Sequence, residues 1–212
     1  MPIWSYILVA LVAYLLGSIP TGYLVAKAKG IDIRKTGSGN IGATNAMRVL
    51  GKPAGIFVLL ADMAKGYFAV WITEYVMERF VEANGHLETC LILAGIFAVL
   101  GHNYTCWLKF KGGKGIATTA GVYLALAPVP LGIALAAFIL AVVLTRYVSV
   151  GSIAGAIALP AAVWIMQPHN LFLGIVTTAL GALAIYKHKA NIQRLMNGTE
   201  NRLGKKPVEG TK

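Results

Sequence analysis

Charged residues are scarce in this chain of 212 residues, where Asp, Glu, Lys and Arg together make up 13%. A soluble domain carries about 25% charged residues. Apolar residues reach 57%, and the mean hydropathy is +0.69. The shortage of charge excludes an ordinary soluble domain, and we predict an all-α, polytopic membrane protein.

Acidic residues and cysteines are also few. The 8 Asp and Glu stand against 19 Lys and Arg, a formal net charge of +11. No solvated basic face is evident for nucleic acid, and positive charge in a membrane protein more often reports topology. Cys90 and Cys106 are predicted near opposite ends of one span, so we expect no disulfide. The opening MPIWSYILV lacks a charged n-region, so we expect no cleavable signal peptide.

Apolar segments divide the chain into seven predicted membrane spans. They are about Ile3–Ala26, Pro53–Tyr75, Thr89–Leu100 with an extension to Trp107, Ile116–Ala127, Leu131–Leu144, Val148–Met166 and Leu171–Tyr186. Gly17, Pro20 and Gly22 predict a kink or early unwinding in the first span. Pro128 and Pro130 are expected to close the fourth span in a short external loop.

The basic residues predict an orientation. The loop 27–52, the stretch 101–121, Arg146 and the end of the chain hold 17 of the 19 Lys and Arg on one side. The positive-inside rule then places the N-terminus outside and the C-terminus in the cytoplasm. We expect one domain over residues 1–204 and a flexible basic tail over residues 205–212. Asp62 and Lys65 lie within the second span at i,i+3, and we interpret them as a structural pair inside the bundle.

Three segments on the predicted cytoplasmic side contain groups that suit phosphate. The first is GSGNIGATN, residues 37–45, followed by Arg48; composition alone leaves a plain turn equally open. The second is residues 101–121, where glycines would turn backbone N–H groups toward one point beside Lys114, at the predicted start of a helix. It is not a Walker A loop, because Gly115 stands where Ser or Thr is needed. The third holds His188, Asn191 and Arg194, and its spacing alone favours a basic anchor for anionic lipid.

Several kinds of catalytic pattern are missing. The acids on the predicted cytoplasmic side, Asp32, Glu200 and Glu209, form no cluster for Mg²⁺. No Cys/His set has zinc spacing, and no Ser-His-Asp order or GxSxG elbow occurs. No histidine is followed by Asp four residues on, so the His–Asp motif of thioester-using glycerolipid acyltransferases is absent. The chemistry should therefore require phosphate recognition but little help from a metal or a protein nucleophile, and we expect no cofactor.

The three segments together resemble a known family, the bacterial acyl-phosphate-dependent glycerol-3-phosphate acyltransferases. GSGNIGATNAMRVLG, GHNYTCWLKFKGGKGIATTAG and YKHKANIQRLMNGTE are similar to its three motifs in order and spacing. LLGSIPTGYLVAK and RYVSVGSI are also similar to family segments. The similarity runs through Glu200, and Thr105-Cys106 departs from it where the family usually has a proline.

The resemblance implies transfer of a fatty acyl group from acyl phosphate to the 1-hydroxyl of sn-glycerol 3-phosphate, without acyl-CoA or a metal. It implies catalytic roles for Ser38, Lys114 and His188. The implied substrate- and phosphate-binding residues are Gly39, Asn40, Thr44, Asn45, Arg48, Gly113, Gly115, Ser149 and Asn191. The proton from the attacking hydroxyl would pass to a substrate phosphate oxygen or to His188.

The resemblance also implies a setting for the enzyme. We expect a multi-pass protein of the bacterial cytoplasmic (inner) membrane with its active site on the cytoplasmic side. It would act as a monomer among membrane lipids, and an association with the enzyme that produces acyl phosphate is a further expectation. Two other classes stay open on the residues alone: a transporter for phosphorylated solutes, which should carry an internal repeat, and a scaffold that binds anionic lipid.

Overall fold

The computed structural model describes residues 2–80 and 85–204, and regular structure in these ranges is helical throughout. The α-helices are α1 (Ile3–Ser18), α2 (Thr21–Lys27), α3 (Ala43–Leu50), α4 (Lys52–Phe80), α5 (Leu87–Asn103), α6 (Ile116–Leu126), α7 (Pro128–Thr145), α8 (Val148–Met166), α9 (Leu171–Lys187) and α10 (Lys189–Met196). Short 3-10 helices cover Ile33–Lys35 and Cys106–Leu108. The predicted all-α class is confirmed for these ranges, while the tail 205–212 lies outside them.

Five helical segments of the described ranges are long and apolar enough to cross a membrane, and a sixth results if the bent pair α9–α10 is one span. The helix α6 has 11 residues, roughly 16 Å of length, which is shorter than the hydrocarbon layer. The chain is therefore a multi-pass membrane protein. The count of seven spans and the orientation of the termini stay predictions.

Prolines explain two of the helix boundaries. The first span breaks between Ser18 and Thr21, as predicted, because Pro20 has no N–H to continue the helix. The fourth span ends at Leu126, just before Pro128, as predicted, but the prediction that Pro128 and Pro130 form a loop is wrong. Both prolines lie in the first turn of α7, where a missing N–H costs nothing.

The chain divides into two compact units, Met1–Pro128 and Val129–Lys212. In the first unit α1 and α5 run parallel, since Tyr6 Oη lies 2.8 Å from His86 Nδ1 at one end and Thr105 Oγ1 donates to Ser18 O at 2.6 Å at the other. A Cβ on Gly17 would overlap the carbonyl of Ala98, so the helices approach closely through small residues. The helices α4 and α6 pack against this pair.

In the second unit α8 packs against α9, and α10 bends away from α9 by 52°. The chain then returns, and Leu203 N donates to Arg146 O at 2.8 Å. A single domain over residues 1–204 stays a prediction. Cys90 and Cys106 are both free thiols, as expected.

Candidate functional site

The first motif folds around the buried side chain of Asn45. Its Oδ1 accepts a hydrogen bond from Ser38 N at 2.8 Å, and its Nδ2 donates to Asn40 O at 2.8 Å and to Thr36 O at 3.1 Å. The Asn40 Oδ1 accepts from Gly42 N at 2.8 Å just before α3. The two amide side chains thus hold the loop backbone, a role that we did not predict when we assigned Asn40 and Asn45 to phosphate binding.

Three other residues of this motif that we predicted for the site are more accessible to solvent than Asn45. Ser38 and Thr44 are exposed, and Arg48 is half-buried, with Nη1 3.5 Å from Asn45 Oδ1. Upstream, the guanidinium of Arg34 donates twice to Asp32, and this hydrogen bonding lowers the pKa of the Asp32 carboxyl to about 2. Asp32 is therefore ionised at neutral pH and paired with Arg34 within the loop.

The second motif begins where α5 ends. Gly112 N donates to Asn103 O at 3.2 Å, and Gly113 N donates to His102 O at 3.0 Å. These bonds satisfy carbonyls that the end of a helix leaves without partners. The prediction that the glycine N–H groups converge on a phosphate is therefore wrong for Gly112 and Gly113, because both point back to α5.

Lys114 follows this turn directly and is half-buried. Gly115, with φ of +85°, is the N-cap of α6, and a left-handed backbone here suits only glycine without strain. The first N–H groups of a helix lack intrahelical partners and carry partial positive charge. The groups at this point whose positive charge suits an anion are therefore the Lys114 ammonium and the N-terminus of α6.

A shared hydrophobic cluster brings the first two motifs together at one end of the first unit. Leu108 of the second motif packs with Ile41 and Ala46 of the first, and with Val58 of α4. All four side chains are buried. This packing places the two motifs on a common base within the first unit.

The third motif lies in the second unit, at the bend between α9 and α10. His188 is buried, and its Nδ1 lies 2.8 Å from Ala184 O. A carbonyl oxygen only accepts, so Nδ1 carries the hydrogen, and in the neutral ring Nε2 has the lone pair. His188 and Asn191 are buried and therefore do not belong to a solvated face, while the basic anchor for anionic lipid stays an untested alternative.

Glu200 is the residue that sequence reasoning missed. Its carboxylate accepts from Asn191 Nδ2 at 2.8 Å and from Arg194 Nε at 2.7 Å, and its side chain is only 7% exposed. Partial burial alone would raise the Glu200 pKa, but the hydrogen bonds from Asn191 and Arg194 outweigh it and hold the pKa below its usual value. Ser149 also lowers this pKa, although its buried hydroxyl falls short of good hydrogen-bond geometry. Glu200 is the last residue of the third motif, and this position in the sequence could have identified it.

The predicted site residues thus fall into two sets. The first unit holds Ser38, Gly39, Asn40, Thr44, Asn45, Arg48, Gly113, Lys114 and Gly115, and the second unit holds Ser149, His188 and Asn191. Across residues 2–80 and 85–204, no three His, Cys, Asp or Glu side chains lie close enough together to hold a metal ion.

Known proteins resemble this chain over nearly its whole length. The family model for glycerol-3-phosphate acyltransferase matches residues 7–198. The glycerol-3-phosphate acyltransferase of Clostridioides difficile (strain 630) is 48% identical over 209 residues, covering 97% of this chain and 99% of the relative. That of Geobacter sulfurreducens is 47% identical over 191 residues, covering 90% and 94%. The solved glycerol 3-phosphate form of PlsY (YgiH), an integral membrane glycerol 3-phosphate acyltransferase, is 36% identical with a TM-score of 0.84, covering 94% of this chain and 96% of that one. The chain therefore belongs to the glycerol-3-phosphate acyltransferase family.

Proposed function

We propose that this acyltransferase takes its acyl group from acyl phosphate and transfers it to the 1-hydroxyl of sn-glycerol 3-phosphate, releasing lysophosphatidic acid and inorganic phosphate. The observation that carries the proposal is the half-buried Lys114 at the start of α6, on the same hydrophobic base as the loop of Arg48. Solved relatives in a glycerol 3-phosphate form and a lysophosphatidic acid form support the acceptor and the product.

Cations and N–H donors bind the phosphate groups. The guanidinium of Arg48 suits two phosphate oxygens at once, and the Lys114 ammonium acts as a compact charge beside the positive end of α6. The exposed Ser38 hydroxyl adds a neutral donor. Both substrates carry phosphate, so these groups supply binding and also stabilise the charge on the departing phosphate.

The chemical step needs one bond made and one broken. The 1-hydroxyl oxygen of glycerol 3-phosphate attacks the acyl carbonyl carbon, and the bond from that carbon to the phosphate oxygen breaks. Phosphate leaves with the electron pair, because the mixed anhydride is already activated. Holding the two substrates in this geometry replaces a bimolecular encounter and supplies much of the acceleration.

The proton of the attacking hydroxyl passes to a substrate phosphate oxygen. His188 and Asn191 orient glycerol 3-phosphate, and Asn191 is itself held by Glu200 at 2.8 Å. The rival base is His188, whose Nδ1 bond to Ala184 O leaves Nε2 as the basic nitrogen of the neutral ring. A pH–rate profile distinguishes the two assignments.

The proposal includes a place in the cell. The chain lies in the bacterial cytoplasmic membrane with the three motifs toward the cytoplasm, in agreement with the basic loops. It acts as a monomer in contact with lipid and receives acyl phosphate from the enzyme that produces it.

The test uses purified full-length protein in detergent with radiolabelled glycerol 3-phosphate. One tube receives synthetic acyl phosphate and a parallel tube receives acyl-CoA. We expect labelled lysophosphatidic acid in the first tube only. Lys114→Ala should lose this product, whereas Lys111→Ala should keep it, because Lys111 is an exposed lysine three residues before Lys114. Product only with acyl-CoA would contradict the donor assignment. No product in either tube would favour transport of a phosphorylated solute.

A further inference from the structure

Two side chains of α4 with opposite charges are buried in the protein. Lys65 Nζ lies 2.9 Å from Asp62 Oδ1, and the side chains are 5% and 3% exposed. A charge inside a membrane span is costly unless it is paired. Lys65 Nζ also donates to Ile19 O at 2.9 Å, at the break between α1 and α2, where carbonyl groups lack helical partners. The pair therefore fixes the end of α1 against α4.

The same carboxylate faces His102 near the end of α5. His102 Nδ1 lies 3.7 Å from Asp62 Oδ1, and its side chain is 5% exposed. The opposite edge of the imidazole touches the second motif, since a Cβ on Gly113 would overlap His102 Nε2. The backbone of His102 also accepts the hydrogen bond from Gly113 N at 3.0 Å.

We propose that Asp62 and Lys65 are positioning residues that set the place of Lys114 through His102. Asp62 orients the imidazole, the imidazole and its carbonyl hold Gly113, and Lys114 is the next residue. Lys65 contacts both Asp62 and Ile19 O at the end of α1, and it thereby keeps Asp62 in the position that orients His102. The inference rests on the proposed phosphate-binding role of Lys114, and it gives the buried pair a role beyond helix packing.

The experiment removes both charges together, in the variant Asp62→Asn/Lys65→Met, so that no unpaired charge is left buried. Trypsin cleavage after the exposed Lys109 and Lys111 reports the mobility of the second motif, and cleavage after the exposed Lys35 is the internal reference. We expect faster cleavage after Lys109 and Lys111, with unchanged cleavage after Lys35.

The kinetic readout separates positioning from folding. A misplacement of roughly 1 Å can cost about 100-fold in rate, so we expect kcat/KM to fall about 10- to 100-fold, mainly through a higher KM for a phosphorylated substrate. The control is Tyr6→Phe, which removes the 2.8 Å contact with His86 at the other end of α1 and α5 and should leave both readouts at wild-type values.

A second variant covers the case in which the double variant fails to fold. His102→Gln leaves the Asp62–Lys65 pair intact and should also accelerate cleavage after Lys109 and Lys111. Wild-type cleavage there in either folded variant would overturn the proposal, as would acceleration at every site together with a lower melting temperature and an unchanged KM. Cleavage needs no acyl donor, so failure of wild-type transfer from acyl phosphate counts only against the proposed function.

Discussion

Asn45→Asp is the change that best tests how the first motif is built. The aspartate keeps an oxygen for Ser38 N, but it puts a second oxygen where Nδ2 now donates to Asn40 O at 2.8 Å and to Thr36 O at 3.1 Å. Two lost hydrogen bonds cost about 1 kcal/mol each, and the buried aspartate oxygen that would face these carbonyls without a partner adds about 1–3 kcal/mol, because residue 45 is only 2% exposed, so we expect a loss of about 3–5 kcal/mol. Since Tm falls by about 2–4 °C per kcal/mol in a chain of this size, it should drop by about 6–20 °C.

The assay measures the melting temperature of the purified protein in detergent together with acyl transfer. Ser38→Ala is the matched comparison, because it removes an exposed hydroxyl but keeps the amide that Asn45 accepts from. Its stability should stay within about 0.5 kcal/mol of wild type while its activity falls. If Asn45→Asp melts like the wild type, the organising role of Asn45 is refuted. Lost activity at an unchanged Tm would return Asn45 to the direct phosphate contacts.

Three further predictions concern the other groups. Lys114→Ala should abolish nearly all acyl transfer in a protein that still folds and inserts, and wild-type kinetics would refute its phosphate role. His188→Gln should keep near-normal kcat and the pH–rate profile of the wild type if a substrate phosphate is the base, because the phosphate itself titrates at about pH 6; a large loss of kcat at saturation would make His188 the base. Glu200→Gln should alter acid stability: the lowered Glu200 pKa adds stability that is present above the unfolded value of about 4.5 and is lost as pH falls through the lower folded value. Below pH 4.5 the melting temperature should therefore fall more steeply with decreasing pH for wild type than for the variant.

Much of the fold could be predicted from the sequence, because the length of an apolar segment and the effect of proline are local properties. The span Val148–Met166 has the predicted bounds, and the break at Pro20 follows from its missing N–H. The predicted start of the fifth span at Leu131 was too late, because proline can end one helix and also suits the first turn of the next, and α7 begins at Pro128. The 52° bend at His188 had no local signal, because no glycine or proline marks it.

The candidate site was predicted as a set of residues, but several roles depend on tertiary contacts that spacing cannot reveal. The interpretation of Asp62 and Lys65 as a pair is confirmed at 2.9 Å. Its further contacts with Ile19 O and His102 join segments that lie far apart in the sequence. Glu200 was counted only as an isolated acid, since its partners become visible only when the chain turns back after α10.

The Gly-Gly-Lys-Gly run shows how a correct set of residues can carry a wrong physical reason. An N–H group that donates to a carbonyl of α5 cannot donate to phosphate at the same time, so the glycine pair does not act as a backbone nest. Gly113 instead lets the chain pass against the His102 ring, where any side chain would collide. The phosphate binding that we propose for this loop then depends on the side chain of Lys114 and the start of α6. In our proposal this loop is therefore sensitive to whatever holds His102, and the buried charges of α4 act together with Lys114.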